Sequence, residues 1–235
     1  MPDKNYFKKI VENRKDFRSQ EISDELAERE VYTIFNLLKH FYNKEFNEGS
    51  NIVVDLGCGD GYLKKYFEKK NFKYNGYDID DLDIEKDRIP LPDNSVDLVT
   101  NIGLIEALKV YDNLMSESKR ILKPGGFFYT ITPNWLKDYK NFYNNPIHKK
   151  PYTPNSLKQA LSINEFREIR ILPGLRSKPI WYYKGRLRFE KAYYLLPFNQ
   201  YDFYEKKFYA KSVFRKFIPE FLKGHSRSLI GIARK

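Results

Sequence analysis

The chain has 235 residues, of which 41% are hydrophobic and 31% charged, so it is long enough and apolar enough to form a globular domain with a full core. No apolar run approaches the roughly 18 residues of a membrane-spanning helix, the N-terminal residues lack the apolar core of a signal peptide, and the single cysteine, Cys58, excludes an internal disulfide. We find no clustered Cys and His spacing, so we expect no metal site, and we expect a cytoplasmic protein.

The net charge of +11 is unevenly distributed along the chain. Residues 1–135 carry 20 Lys and Arg against 24 Asp and Glu, whereas residues 136–235 carry 22 against 7. This asymmetry predicts an anionic partner for the C-terminal part, which could be nucleic acid, a phosphorylated substrate or a lipid surface. A solvated basic face without a partner is the alternative.

The first predicted elements are a helix and then a strand, a glycine turn and a second helix. Apolar residues between Asp24 and Tyr42 recur at helical spacing. The β-branched run Ile52-Val53-Val54 predicts a strand buried on both faces, and it ends at Asp55 in the sequence D-L-G-C-G-D-G-Y-L. A strand, a glycine turn and a helix in this order predict a nucleotide site at the carboxyl edge of a parallel sheet.

Strands and helices alternate in the rest of the chain, which predicts a parallel α/β sheet with right-handed crossovers. Helices are predicted over 112–122 and from Thr153-Pro154 onward, and residues 181–221 hold 15 aromatic residues interleaved with Lys and Arg. The further predicted strands cover 72–78, 96–101, 127–132, 165–172 and 228–233.

The glycine spacing narrows the choice of nucleotide. A dinucleotide fingerprint reads G-x-G-x-x-G, but here the glycines form G-x-G-x-G and Tyr62 occupies the place of the third glycine. The lysine-containing phosphate loop of nucleotide triphosphatases is absent from the sequence. Asp78 lies 17 residues beyond Gly61, close to where dinucleotide-binding folds place a carboxylate that binds ribose.

Five stretches resemble, in order, the motifs of the class I S-adenosylmethionine-dependent methyltransferases, of the small-molecule, methyltransferase-11-like type. They are D-L-G-C-G-D-G, Tyr77-Asp78, Asp83-Ile84, I-P-L-P-D-N-S-V-D-L-V and R-I-L-K-P-G-G-F-F. The resemblance is strongest over residues 45–135 and weaker toward the closing S-L-I-G-I-A-R-K. It implies a Rossmann-like three-layer sandwich with a seven-stranded, mostly parallel sheet whose last strand is antiparallel, together with N-terminal helices and a C-terminal helical insertion.

We interpret residues 1–235 as a single methyltransferase domain. Its parts are N-terminal helices over 1–45, a cofactor-binding half over 46–135, and a substrate-side half over 136–235 that includes a basic aromatic insertion at about 176–224.

The resemblance implies that the cofactor is S-adenosyl-L-methionine and the product S-adenosyl-L-homocysteine. It assigns the cofactor's amino group to Asp55, the ribose hydroxyls to Asp78, and the adenine amino group to Asp83, with Ile84 packing on the adenine ring. Cys58 is interpreted as a small loop residue, because no paired base that would activate a nucleophile stands near it in the sequence. The implied cofactor-binding residues are Asp55, Gly57, Cys58, Gly59, Gly61, Asp78, Ile79, Asp83, Ile84 and Asn101.

The acceptor site is predicted in the loop after the strand over 127–132. His148 lies in N-P-I-H-K-K-P-Y-T-P, which resembles the H-x-x-P-[FY]-T-P stretch of many small-molecule methyltransferases. Our hypothesis is that His148 is a general base, and the alternative is that it lines the pocket or caps a helix. Asn134, Trp135 and Tyr152 are the predicted pocket walls. Residues 106–107 read Glu-Ala where many relatives have Glu-His, so no role of that histidine is carried over.

The preferred function is methyl transfer to an anionic or sugar-containing small molecule, or to a glycan or lipid-linked acceptor at a membrane surface, with oxygen as the methylated atom. The first alternative is an RNA methyltransferase whose basic half contacts phosphates. The tetrapeptide N-P-P-[FY] of nucleic-acid amino-group methyltransferases is absent, and Asn101-Ile102-Gly103 stands in its place. The second alternative is a catalytically silent protein that binds the cofactor.

Overall fold

The computed structural model describes residues 20–46, 51–174 and 227–235, together with Lys9. The predicted insertion at about 176–224 and most of residues 1–19 lie outside the described residues. The helices are α1 (Gln20–Tyr42), α2 (Lys64–Glu68), α3 (Asp112–Ile121), α4 (Trp135–Asp138) and α5 (Pro154–Ile163), with short 3-10 helices at Ile105–Ala107 and Phe142–Asn144. The strands are β1 (Asn51–Leu56), β2 (Phe72–Tyr77), β3 (Val96–Ile102), β4 (Leu122–Pro133), β5 (Arg167–Pro173) and β6 (Ser228–Arg234).

The strands form one mixed sheet in the order β2-β1-β3-β4-β6-β5. Strands β2, β1, β3 and β4 are parallel, and β6 runs antiparallel to both β4 and β5, so the predicted antiparallel last strand is confirmed. Each of these six strands overlaps a run that the residue pattern predicts, and β4 differs most, since it begins at Leu122 and not at Phe127. The seventh strand was implied by the family resemblance alone, and the described residues form six.

Residues 78–95, between β2 and β3, form turns that are closed by carboxylates. Asp81 accepts a hydrogen bond from the backbone N–H of Asp78, and Asp87 accepts one from the N–H of Asp83. Proline at positions 90 and 92 adds two residues without a backbone donor, which disfavours strand pairing.

Helices cover both faces of the sheet, which explains why the central strands are apolar on both sides. One face packs against α1 and α2, and the other against α3 and α5. None of the described helices is long and apolar enough to cross a membrane. The helix residues that fill the two interfaces are Ala27, Val31, Ile34, Leu38 and Phe67 on the first face, and Leu114, Met115, Ile121, Leu157 and Leu161 on the second.

The topology opens a crevice at the carboxyl ends of β1 and β3. From β1 the chain passes through α2, on one face, to reach β2, while from β3 it passes through α3, on the other face, to reach β4. Because the two connections leave in opposite directions, the loops after these neighbouring strands diverge. Ligands of open α/β sheets bind at such a switch point.

Candidate functional site

The glycine loop after β1 adopts a backbone that side chains disfavour. Gly57, Gly59 and Gly61 have φ of 73°, 58° and 71°, in the left-handed region. A Cβ at Gly57 would lie 3.0 Å from the Cβ of Leu104, whereas a Cβ at Gly59 or Gly61 would meet nothing within 4 Å. The loop therefore packs tightly against the chain at Gly57 and leaves open space at the next two glycines, where a ligand can approach the backbone.

Asp78 ties the end of β2 to this loop. Its two carboxylate oxygens accept separate hydrogen bonds, one from the N–H of Gly59 at 2.6 Å and one from the N–H of Ile79 at 2.7 Å. The N–H of Gly57 donates to the carbonyl of Tyr77 at 2.8 Å, which fixes the loop from its other end. Each carboxylate oxygen keeps acceptor capacity, so an oriented pair of acceptors stands at the crevice.

Asp55, the last acid of β1, is buried and held by two hydroxyl groups. Tyr74 donates to one carboxylate oxygen at 2.8 Å, and Thr100 donates to the other at 2.8 Å. Burial raises the pKa of Asp55 to about 6, although these two hydrogen bonds oppose the rise. A nearby cation would restore the charged form, which suits a ligand that carries an amino group.

The sequence pattern alone missed Tyr74, Thr100 and Gly76. A Cβ at Gly76 would lie 2.9 Å from Cε1 of Tyr74 and 2.9 Å from Sγ of Cys58, so the glycine leaves room for the tyrosine ring to reach Asp55. The strand register pairs Asp55 with Gly76 on one side and with Thr100 on the other. These residues could have been predicted from that register, but the register can be written down only when the order of the strands in the sheet is known.

Cys58 is buried in the loop, with 8% of its surface exposed. Burial, together with the carboxylates of Asp55, Asp78 and Asp81, raises the pKa of its thiol to about 12. A thiol that stays protonated at neutral pH is a poor nucleophile, so the geometry supports the interpretation of Cys58 as a small loop residue.

The predicted adenine-contacting residues already have partners within the chain. The Asp83 carboxylate accepts from Nζ of Lys86 at 2.6 Å and from the N–H of Glu85 at 3.1 Å. Ile84 is buried, with Leu82, in the core on the α3 side of the sheet. Their roles toward adenine stay predictions.

Asn101 lies near the carboxyl end of β3 and is fully buried. Its Oδ1 accepts from the hydroxyl of Thr130 at 2.7 Å. Its Nδ2 is buried and has no hydrogen-bond partner among the residues that the structure describes. A buried amide donor in this position is a group that a bound ligand can satisfy.

His148, in the loop before α5, has its two ring nitrogens in distinct roles. Nδ1 lies 2.8 Å from the carbonyl oxygen of Phe142, and because a carbonyl only accepts, Nδ1 carries the hydrogen. In the neutral ring Nε2 is then the basic nitrogen. It lies 3.0 Å from Nδ2 of Asn145 and 3.8 Å from Oε1 of Glu106.

The three predicted pocket walls occupy different environments. Asn134 is fully buried and caps α4, its side chain accepting from the N–H of Leu136 at 3.2 Å. The Trp135 ring packs edge-on against Phe142, and the backbone N–H of Trp135 donates to the backbone carbonyl of Tyr152 at 2.9 Å. The Tyr152 hydroxyl is buried without a hydrogen-bond partner among the described residues, and burial raises its pKa, so it stays a donor.

Residues 104–106 contact both the glycine loop and the loop that contains His148. Leu104 is the residue against which Gly57 packs, and two positions later the Glu106 side chain approaches His148. The Glu106 carbonyl also accepts from the N–H groups of Lys149 and Lys150, at 2.8 and 3.0 Å. We call the glycine loop with Asp55, Asp78 and Asn101 the cofactor side, and residues 134–153 the acceptor side. Within the described parts of the chain, no group of three or more Cys, His, Asp or Glu residues could hold a metal ion.

A family model described as a methyltransferase domain matches residues 26–169. A curated relative named as a probable S-adenosylmethionine-dependent methyltransferase of Mycolicibacterium smegmatis is 30% identical over 131 residues, which are 48% of this chain and 51% of the relative. The chain thus spans about half the length of this relative.

Solved structures share the fold at lower identity. A SAM dependent methyltransferase from Archaeoglobus fulgidus superposes with a TM-score of 0.54 and 19% identity, covering 88% of this chain and 94% of that one. Phosphoethanolamine N-methyltransferase 2 of Haemonchus contortus, solved with phosphomonomethylethanolamine and S-adenosylhomocysteine, gives a TM-score of 0.52 and 17% identity, covering 88% of this chain and 52% of that one. The chain belongs to the methyltransferase-domain family, as the five ordered motifs predict, and it shares the fold of solved S-adenosylmethionine-dependent methyltransferases.

Proposed function

We propose that this chain is an enzyme that transfers the methyl group of S-adenosylmethionine to an oxygen atom of a small acceptor, with His148 as the general base. The observation that carries the proposal is the junction at residues 104–106, where Leu104 packs against the glycine loop and Glu106 approaches His148. A base candidate and a cofactor-binding loop are thus supported by the same three residues.

The residues present fit the cofactor. Open space at Gly59 and Gly61 admits a ligand to the backbone, and the Nδ2 of Asn101 is a buried donor for it. When bound, S-adenosylmethionine supplies a methyl group on a sulfonium, which is already activated for displacement. Asp78 would accept from both ribose hydroxyls, and Asp55 would face the amino group. Holding two reactants in line supplies much of the barrier reduction in such a reaction.

His148 would accept the proton of the acceptor. The bound cofactor would supply the methyl group to the acceptor oxygen and leave as S-adenosylhomocysteine, and Nε2 of His148 would take up the hydroxyl proton. The hydrogen bond from Nδ1 to the Phe142 carbonyl keeps the ring in the tautomer with a basic Nε2. The side chain is 14% exposed, so the base is shielded from most bulk water.

The charges beside His148 support an anionic or sugar-containing acceptor. Lys149 and Lys150 follow it directly, and Nζ of Lys150 lies 4.0 Å from the centre of the Tyr111 ring. Partial burial lowers the pKa of Lys149, so the charge of this lysine is one that an anion would stabilise. Exposed Leu136, Tyr139 and Tyr143 on the same side support contact with a membrane that holds a lipid-linked acceptor.

The first experiment measures release of S-adenosylhomocysteine from the full chain with a panel of hydroxyl-bearing phosphates, sugars and lipid-linked sugars. With a productive acceptor, His148→Ala should lower turnover by about 100-fold or more while the affinity for S-adenosylhomocysteine stays unchanged. His40→Ala, in α1, is the matched control. Equal turnover in His148→Ala and the unmodified chain would reject His148 as the base.

The net positive charge of residues 136–235 favours RNA methylation as the second candidate. A basic face that binds phosphates loses affinity steeply with added salt. Retention of bulk tRNA at low salt, lost on adding salt, together with methyl incorporation into the tRNA, would favour this candidate. Absence of retention at low salt would exclude it. A chain that binds S-adenosylmethionine but methylates neither RNA nor any member of the panel would favour the catalytically silent alternative.

A further inference from the structure

Glu106 is a buried acid at the junction between the cofactor side and the acceptor side. It lies in the 3-10 helix that follows β3, and only 2% of its surface is exposed. Acids are seldom buried this completely unless a cation or hydrogen-bond donors stabilise them. Its Oε1 lies 3.8 Å from Nε2 of His148, a residue 42 positions further along the chain.

We infer that Glu106 is a positioning residue for His148, which orients the imidazole and stabilises the imidazolium that forms when Nε2 takes a proton. The inference deepens the proposed function and rests on the role of His148 as the base. Glu106 itself does not touch the acceptor in this arrangement. It acts through the histidine, as a carboxylate that neutralises the charge developing on the ring.

Contacts on three sides fix the ring for this role. Nδ1 bonds to the Phe142 carbonyl, the ring centroids of Phe142 and His148 are 4.8 Å apart, and Nδ2 of Asn145 lies 3.0 Å from Nε2. Nε2 therefore faces both Asn145 and Glu106. Asn145 stabilises the neutral ring by donating to Nε2, whereas Glu106 stabilises the protonated ring. The two partners act in opposite directions, and the bond from Asn145 must open before Nε2 takes up a proton.

The backbone holds the two residues together independently of their side chains. The carbonyl of Glu106 accepts from the N–H groups of Lys149 and Lys150, directly after His148. This clip joins the acceptor loop to the end of β3, so the side-chain approach does not depend on the ion pair alone. A variant that removes the charge of Glu106 should keep the loop in place.

Other charged and titratable side chains lie near Glu106 and His148, and each favours or disfavours the protonated imidazole by its own charge. Lys149 and Lys150, on the loop of His148, disfavour a second positive charge on the ring. Tyr152 lies near Glu106 and packs against Tyr111. Burial raises the pKa of Tyr152, and Tyr111, Glu106 and Asp112 add to the rise, so that hydroxyl stays neutral. Glu85 acts on Lys149, and its carboxylate accepts from the N–H groups of Lys109 and Val110. Glu85 therefore serves as a nearby carboxylate that does not pair with His148.

The test is an NMR titration of the imidazole signals in the full chain, which has three histidines. Glu106→Gln should lower the midpoint of His148 by about 1 pH unit or more, because an opposite charge at this distance favours the protonated ring. Glu85→Gln should leave that midpoint in place. An unchanged midpoint in a folded Glu106→Gln protein would overturn the inference.

Two further readouts keep the test decisive. If Glu106→Gln does not fold, Glu106→Asp is the second variant, because it keeps the charge but moves it away from His148 by one methylene. We expect the His148 midpoint to fall by less than in Glu106→Gln. An unchanged midpoint in Glu106→Asp would contradict the inference. With a productive acceptor, Glu106→Gln should lower kcat and move the acid limb of its pH profile to lower pH, with KM little changed. A rise in KM alone would instead indicate that Glu106 only shapes the pocket.

The affinity for S-adenosylhomocysteine, measured in the same proteins, separates this inference from the proposed function. Loss of binding in the unmodified chain would remove the methyltransferase proposal and leave the coupling of Glu106 to His148 standing. Intact binding of S-adenosylhomocysteine, with a His148 midpoint that Glu106→Gln leaves unchanged, would remove the inference on Glu106 and leave the methyltransferase proposal standing.

Discussion

The cofactor side and the acceptor side are built in different ways. On the cofactor side, the glycine loop, Asp55 and Asp78 come from one β-α-β unit and are fixed by backbone geometry, as in the bond from the N–H of Gly59 to Asp78, and Asn101 is added by the neighbouring strand β3. On the acceptor side, the contacts join segments that are distant in the chain, as in Glu106 with His148 and Asn134 with Arg227. The first side therefore depends on local spacing, and the second depends on how the whole sheet is assembled.

The two sides also differ in charge. Residues 1–135, which contain the cofactor side, carry four more acids than bases, and residues 136–235 carry 15 more bases than acids. A mildly acidic half suits a cationic sulfonium, and a basic half suits an anionic acceptor. Under the proposed function, one fold would bind two reactants of opposite charge on the two sides. The predictions below separate the two sides, beginning with the largest expected effect.

Asp78→Ala should remove the cofactor side's main polar contact. Two hydrogen bonds from ribose hydroxyls to a carboxylate contribute about 1.5–3 kcal/mol each, so we expect the Kd for S-adenosylhomocysteine to rise by about 100-fold or more. The matched control is Asp80→Ala, which removes an exposed acid two positions away. A Kd within a factor of about two of the unmodified protein would contradict the role of Asp78.

Asp55 should make the stability of the cofactor side depend on pH. Its folded pKa of about 6 lies above the ordinary value of 3.8. The folded protein therefore holds the proton more tightly, and the stability this contributes is fully present below about pH 4 and is lost as the pH rises through 6. Relative to Asp55→Asn, the free energy of unfolding should fall by about 3 kcal/mol over this window.

Chemical denaturation at pH 4 and at pH 7, in the unmodified protein and in Asp55→Asn, measures this difference. Parallel pH profiles of the two proteins would show that Asp55 titrates normally.

The glycines of the loop should separate structure from ligand binding. Gly57→Ala forces a left-handed alanine against Leu104, so we expect the free energy of unfolding to fall by about 2 kcal/mol or more. Gly59→Ala has the same backbone strain, but its Cβ would enter open space, so we expect the free energy of unfolding to fall by only about 1 kcal/mol. Because that space is where the cofactor would approach, we expect Gly59→Ala to weaken cofactor binding more than Gly57→Ala does. Denaturation and calorimetry on the two variants check this, and the reverse ranking in stability would contradict it.

The smallest expected effect lies at the start of α5, on the acceptor side. The hydroxyl of Thr153 accepts from the N–H of Ser156, and the hydroxyl of Ser156 accepts in return from the N–H of Thr153, at 3.1 and 2.9 Å. Thr153→Ala should lower the free energy of unfolding by about 1 kcal/mol and leave the Kd for S-adenosylhomocysteine unchanged. A tenfold rise in that Kd would show that the two sides are coupled.

The contrast between local spacing and contacts across the assembled sheet also explains which features could be predicted from the sequence. The glycine loop, Asp78 and the helix start at Thr153-Pro154 follow from local chemistry, since positive φ, a strand end and a capping hydroxyl are each visible in a few residues. The strand over 165–172 was also predicted, although it begins two residues later, at Arg167. Such boundaries depend on pairing with β6 rather than on propensity.

Other features required the assembled sheet. Tyr74 and Thr100 reach Asp55 only because β2 and β3 flank β1, an order that no local pattern encodes. In the sequence Glu106 is distinguished only by the alanine that follows it, whereas the structure buries it beside His148 of the acceptor side. The seventh strand was implied by resemblance alone, and the described residues form six strands.

Calorimetric titration of the full chain with S-adenosylmethionine tests the central claim most directly. Because the glycine loop, Asp78 and Asn101 lie at the carboxyl ends of three neighbouring strands, we expect one molecule to bind per chain. Saturable binding at that stoichiometry is the predicted result. A folded chain that takes up no S-adenosylmethionine or S-adenosylhomocysteine would contradict the assignment of the cofactor side.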